Sequence, residues 1–235
     1  MDHMQEHLDL DGCYMARQSF HHLAQSVAHW RSLVTLNLAF PDTLDTGMSV
    51  QSLSKSLRGC PCGSTGGLHR LALGGVFSGP VATELLPTLA TYHQNLLHLD
   101  LGVHVDATAD GIHSDAGSAD CLASLTKLTF LRLPKTTEAI STFWEREIVS
   151  GFPVLGSLKV LDLSHSQLGS SIEVVHALAN LTGLTRLHLK QAGIRIDDVP
   201  VLMVSMGSMK LQAKEQLDMV IDIYEDIALC EGEAL

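Results

Sequence analysis

Charge is scarce in this chain of 235 residues, and positive charge scarcest: Asp, Glu, Lys and Arg together make 17% of it, with 26 acids against 15 bases and a formal net charge of -11. A ligand of phosphate backbones would need the opposite balance, so no nucleic-acid partner is expected. No apolar run reaches the ~18 residues of a membrane-spanning helix. The N-terminal Met1–His7 stretch is polar and acidic where a secretory leader would be basic and then apolar. A cytoplasmic, membrane-free protein is therefore expected. Cysteine is also sparse: Cys13, Cys60, Cys62, Cys121 and Cys230 are odd in number and widely spread. They read as free thiols of a reducing compartment and not as a disulfide framework. Low charge does not mean disorder here, because 46% of the residues are hydrophobic. Histidine, at thirteen residues, is abundant, and near a pKa of ~6.5 it would carry the net charge toward zero and lower solubility as pH falls toward 5.5.

What fills the chain instead is a repeat. The frame Leu-x-x-Leu-x-Leu occurs six times without substitution, starting at Leu33, Leu68, Leu96, Leu128, Leu158 and Leu184. Leu8 and Leu10 supply the end of a partial earlier copy. In an extended segment alternate side chains share a face, so the fourth and sixth frame positions point inward together. One copy is too small to cover its own leucines, so neighbouring copies must stack into one parallel sheet. Between the frames the period lengthens. Phe20, Leu23, Val27 and Trp30, then Val81, Leu85, Leu86 and Leu89 beside Pro80, then Ile172, Val175, Leu178 and Leu181, fit helices or helical turns.

These triplets and their spacing resemble the leucine-rich repeat family, with long helix-bearing repeats of the ribonuclease-inhibitor-like kind, over roughly residues 5 to 195. The uneven spacing and the Leu-Thr-x-Leu-Thr phrases at Leu125–Thr129 and Leu181–Thr185 also resemble repeat proteins of protists. The resemblance implies an α/β solenoid, curved, with a parallel β-sheet on the concave face and helices or helical turns on the convex face. It also implies a non-catalytic protein-binding module, not an enzyme. The family's Asn or Cys at the ninth position is mostly absent, the places being held by Cys13, Pro41, Val76, His104, Thr136, Ser166 and Ala192. An irregular ladder is expected.

About seven repeats, the first partial, would occupy residues 1–210. A last shortened strand at Met206-Met209-Leu211 is one reading of the far end. From Leu217, the residues Val220, Ile221, Tyr224, Ile227 and Ala228 fall on one helical face opposite Asp218, Asp222, Glu225 and Asp226. Residues 211–235 are therefore expected to form an amphipathic helix capping the open stack, the alternative being a helix that docks in a partner's groove. The abrupt start on a partial repeat also fits a structural fragment of a longer protein.

The third and fifth frame positions project onto the concave face. The third column reads His7, Thr35, Arg70, His98, Phe130, Val160, Arg186; the fifth reads Asp9, Asn37, Ala72, Asp100, Arg132, Asp162, His188. At about 4.8 Å per strand the seven strands make a face roughly 29 Å long. The alternating signs of Asp100, Arg132, Asp162 and His188 fit a surface charge ladder that avoids like-charge stacking. Alternatively, Arg70, His98, Asp100, Phe130, Arg132, Val160, Asp162, Arg186 and His188 form a patch for a protein partner, centred on an aromatic beside arginines. On that second reading, replacing Phe130 and Arg132 by alanine abolishes binding and barely alters the melting temperature.

Motifs for chemistry are weak. Cys60-Pro61-Cys62 has the wrong spacing for a metal site and reads as an irregular loop, the alternative being a redox-sensitive turn. His3/His7 and His21-His22 lack the glutamate of a zinc hydrolase, and Gly74–Gly79 lacks the phosphate-loop order and reads as a strand-exit turn. Asn180-Leu181-Thr182 is a glycosylation sequon, but Leu181 is needed in the core. No metal, cofactor or catalytic residue is expected. A role in regulating a GTPase, found among ribonuclease-inhibitor-like proteins, is the alternative function the resemblance allows.

Overall fold

The computed structural model describes residues 6–39, 48–60, 67–78, 84–105, 120–135, 138–166, 172–193, 200–201, 204 and 218–220. Each leucine frame is a strand. In chain order the strands, with β3 and β9 falling outside the leucine frames, are β1 (His7–Asp9), β2 (Thr35–Ala39), the two-residue β3 (Met48–Ser49), β4 (Arg70–Ser78), β5 (His98–Val105), β6 (Phe130–Arg132), β7 (Val160–Asp162), β8 (Arg186–His188) and β9 (Asp218–Val220). They form one sheet in the order β1-β2-β4-β5-β6-β7-β8-β9, with β3 on the far end of β4. Every pairing is parallel and in frame register: Leu8, Leu36, Leu71, Leu99, Leu131, Leu161, Leu187 and Met219 stand side by side.

All eighteen leucines of the six complete frames are 6% exposed or less. Full burial of one such side chain contributes about 1.5–3 kcal/mol, and no single repeat could supply the cover by itself. The cover comes from helices on the other side of the sheet: α1 (Arg17–Val27), α2 (Val50–Gly59), α3 (Leu86–Tyr92), α4 (Cys121–Ser124), α5 (Glu138–Gly151) and α6 (Ile172–Ala179). Each packs against the next along the stack. Their inward residues keep helical spacing: Phe20, Ala24 and Val27 on α1; Val50, Leu53 and Leu57 on α2; Trp144 and Ile148 on α5, continued by Phe152 in a 3-10 turn. In the expected Ile172 stripe, Val175, Leu178 and Leu181 are buried, whereas Ile172 is 39% exposed.

Repeat joins repeat through a recurring backbone device. The carbonyl at the second frame position takes two N–H groups from the next strand: Leu97 O, for example, accepts from Thr129 N at 2.8 Å and Phe130 N at 3.1 Å. The same pattern recurs at Glu6, Val34, His69, Thr129 and Lys159. Thr129 and Thr185 add their hydroxyls, donating to Leu97 O and Lys159 O at 2.9 Å. Three residues before each of four frames, His93, Leu125, Leu155 and Leu181 accept the N–H of the first frame leucine through their carbonyls. The Leu-Thr-x-Leu-Thr phrases are thus an apolar helix-end plug followed by an inter-repeat hydroxyl bond.

Three expectations are corrected. Gly74–Ser78 is not a strand-exit turn but the second half of β4, because β5 extends equally far and pairs with it to Phe77↔Val105. Cys60 is not a free thiol but half of a disulfide whose other cysteine lies outside the described residues, which removes one support for a reducing compartment. Asp218–Val220 is a strand on β8 where a helix is expected: the exposed N–H and C=O groups along β8 offer pairing partners that local helical periodicity does not weigh. Its Met219 replaces the frame's central leucine, 32 residues after Leu187. The remainder of 211–235, Met206-Met209-Leu211, Pro80, Val81 and the Cys60–Cys62 loop beyond Cys60 lie outside the described residues.

Candidate binding face of the sheet

The side chains of the third and fifth frame positions fall in two parallel rows across the strands, set by the register of the pairings. Arg70, His98, Phe130, Val160 and Arg186 make one row; Ala72, Asp100, Arg132, Asp162 and His188 make the other. In the fifth column Asp9 is exposed, Asn37 and Ala72 are buried, and Asp100, Arg132, Asp162 and His188 are half-buried.

In the first row, His98 stacks flat on Phe130, with ring centroids 4.0 Å apart and planes 8° from parallel. Burial, and then the positive charge of Arg70, lowers the His98 pKa to about 4. The imidazole is therefore neutral near pH 7, and its buried Nε2 has no hydrogen-bond partner. With Val160 half-buried beside Phe130, the row has an apolar centre. Arg70 and Arg186, both exposed, close it at the two ends, four strand spacings or about 19 Å apart.

In the second row, Arg132 sits between two carboxylates: Nε is 3.3 Å from Asp162 Oδ2 and Nη1 is 3.9 Å from Asp100 Oδ2. The Nε approach is an ion pair by distance, but its angle falls short of a hydrogen bond. Burial raises the Asp100 pKa, opposed by the Gly102 N–H and by Arg132. At these partly exposed positions such pairs contribute about 0.2–1 kcal/mol each. Gly102 makes room for them: a Cβ there would lie 3.0 Å from Asp100 Oδ1 and 3.1 Å from Arg132 Cζ.

The fifth-position acids have a second duty. Asp9, Asn37, Asp100 and Asp162 each accept, through Oδ1, the N–H two residues later, at 2.9–3.1 Å. Asn37 Nδ2 also donates to Asp9 Oδ1 at 2.9 Å. In β1, β2 and β7 this side-chain turn falls where the strand ends, whereas in β5 it lies within a strand that runs on to Val105. The same side chains therefore carry both the charge ladder and the turn.

Sequence spacing identified the two columns; it missed the stacking of His98 on Phe130, the clamping of Arg132 and the space left by Gly102. Aromatic type in adjacent copies was the one available signal for the first. It also missed two buried polar groups behind the sheet. Glu147 on α5, 1% exposed, accepts the Leu122 N–H at 3.1 Å across the repeat boundary, and burial raises its pKa. His93, 1% exposed, takes the place of a plug leucine and meets Leu57 O through Nε2 at 3.2 Å; burial lowers its pKa.

Stacked strand–helix units, one parallel sheet and a leucine in every inward frame position define an α/β leucine-rich repeat solenoid. No protein-family model and no curated protein matches the chain. Among solved structures, a leucine-rich repeat protein of Leptospira interrogans is similar at 15% identity and a TM-score of 0.39, over 91% of this chain and 54% of that one. The chain spans about half the length of that protein. No helix among the described residues is long and apolar enough to cross a membrane.

Proposed function

We propose that this chain is a non-catalytic protein-binding module of the ribonuclease-inhibitor-like kind that engages its partner on the outward sheet face. A helix in most of the segments between frames supports the long-repeat subclass. One observation carries the binding reading: the Arg70-His98-Phe130-Val160-Arg186 row, with an apolar centre already stacked and exposed arginines at both ends. Because His98 and Phe130 hold each other, little side-chain entropy is left to lose on binding. The complementary partner presents an apolar side chain flanked by carboxylates at a similar spacing.

Affinity capture followed by mass spectrometry, with wild type beside Phe130→Ala/Arg186→Ala, tests the reading. The expected outcome is one stoichiometric protein lost with the variant while the melting temperature holds. A partner retained equally by both chains moves the site off this face. Arg132 is unsuited to this test, contrary to the expectation from sequence, because removing it leaves Asp100 and Asp162 facing each other across one strand.

A further inference from the structure

The connections between helices and strands divide by charge. The six segments that lead from a helix into the next frame strand (28–34, 60–69, 93–97, 125–129, 155–159 and 180–185) contain no Asp or Glu, in a chain that has 26. The segments that lead from a strand toward the next helix hold eight, within 10–16, 40–47, 79–85 and 106–120. Helix dipoles favour that division, with acids near helix N-termini and bases near C-termini. They do not account for the apolar residues that the acid-free edge exposes. Tyr92 at the end of α3, Leu97 just before β5 and Val154 at the end of the 3-10 turn are 48%, 40% and 48% exposed. Lys127 and Lys159 are exposed on the same edge and form no ion pair among the described residues. All five residues belong to the consecutive repeats of β5, β6 and β7. Glu6, the one acid at a second frame position, stands beside β1, four strand spacings or about 19 Å from β6.

The edge offers donors and few acceptors. Leu97 O already accepts the Thr129 and Phe130 N–H groups and the Thr129 hydroxyl, and Lys159 O accepts the same three groups from Thr185 and Arg186. The two ammonium groups carry three donors each and no acceptor. Lys127 Nζ donates to Asn95 Oδ1 of the preceding repeat, and Lys159 Nζ lies 3.2 Å from where a Cβ on Gly183 of the following repeat would be. The two charges are thus spread over the repeats of β5 to β8, three strand spacings or about 14 Å. In an extended chain, side chains four residues apart share one face at about the same distance. We propose that this edge is a second interaction surface, which binds an extended acidic segment of a partner protein with two carboxylates four residues apart and an apolar side chain between them. The carboxylates meet Lys127 and Lys159, and the apolar residue covers exposed surface of the Leu97 and Val154 kind. An anionic membrane is disfavoured, because the chain as a whole carries a charge of -11. The surface is distinct from the strand face and does not depend on it.

Titration of the isotope-labelled full chain with the end-blocked peptide Glu-Ser-Leu-Ser-Glu, followed through amide NMR shifts, tests this. Saturable shifts are expected around Tyr92, Leu97, Lys127, Val154 and Lys159. Lys127→Glu/Lys159→Glu is expected to bind the peptide at least about tenfold more weakly, with an unchanged melting temperature. Phe130→Ala/Arg186→Ala is expected to bind it as the wild type does, which separates this edge from the strand face. The proposal is overturned by the absence of saturable shifts at this edge, or by equal binding to the lysine variant. It is also overturned by shifts confined to the strand face that vanish in the Phe130/Arg186 variant. Sedimentation of the wild type, but not of the lysine variant, with vesicles of phosphatidylcholine and phosphatidylserine would assign the edge to a membrane and overturn it as well.

Discussion

Acidification should destabilise this fold through His98, and the size of the effect follows from its surroundings. Its pKa in the folded chain is about 4, held down by burial and by Arg70, against about 6.5 in an unfolded chain. Between those values the unfolded state binds the proton and the folded state does not, so stability rises with pH across the window and falls as pH drops through it. For a fully shielded group, going from pH 7 to pH 5 would cost about 1.8 kcal/mol. His98 is only half-buried, and solvent screening reduces this to about 1 kcal/mol. Urea unfolding of wild type and His98→Gln at both pH values isolates the effect. The substitution also loses the Phe130 stack, so the quantity to compare is each chain's change between the two pH values, not its stability at either. His98→Gln should lose about 1 kcal/mol less on acidification than wild type. Equal pH slopes would show that the imidazole is protonated freely on the sheet face, and the neutral apolar centre of the binding row would go with it.

Leu161→Ala should cost about 2–5 kcal/mol in chemical unfolding, since Leu161 is fully buried in the middle of the ladder; a loss under 1 kcal/mol would mean the spine can collapse around the gap. Glu147→Gln should leave stability at pH 7 unchanged or higher and flatten its pH dependence. The raised pKa of Glu147 means that the folded state holds the proton longer, so its contribution to stability falls as pH rises; a variant that melts more readily at pH 7 than at pH 5, relative to wild type, contradicts this. Gly183→Ala places a Cβ 2.7 Å from Gly156 O of the preceding repeat and should cost about 1–3 kcal/mol, read as a lower melting temperature. A solubility titration should show less loss on approach to pH 5.5 than thirteen free histidines would give, because His93 and His98 resist protonation; a curve fitted by all thirteen at ordinary values would refute it.

The leucine triplets determined the architecture because the force they report is nearly independent of detail. An aliphatic side chain returning every 26–35 residues in a strand-period frame can leave water only if the copies stack in register. The strands, their order and the two outward columns followed from that alone. Phe20, Ala24 and Val27 on α1 were nearly as legible, since a helical stripe is a local signal. Local signals failed where a neighbouring strand decided the outcome. Asp218–Val220 has helical periodicity but pairs with the open edge of β8, and Gly74–Ser78 looks like a turn but is extended by β5. The character of the candidate face was settled by tertiary structure too. Whether Phe130 stood alone, and whether Arg132 was free to bind, depended on side chains some 30 residues away that the register brings within 4 Å. Sequence placed those groups in the same columns; contact between the strands decided which of them were already occupied with one another.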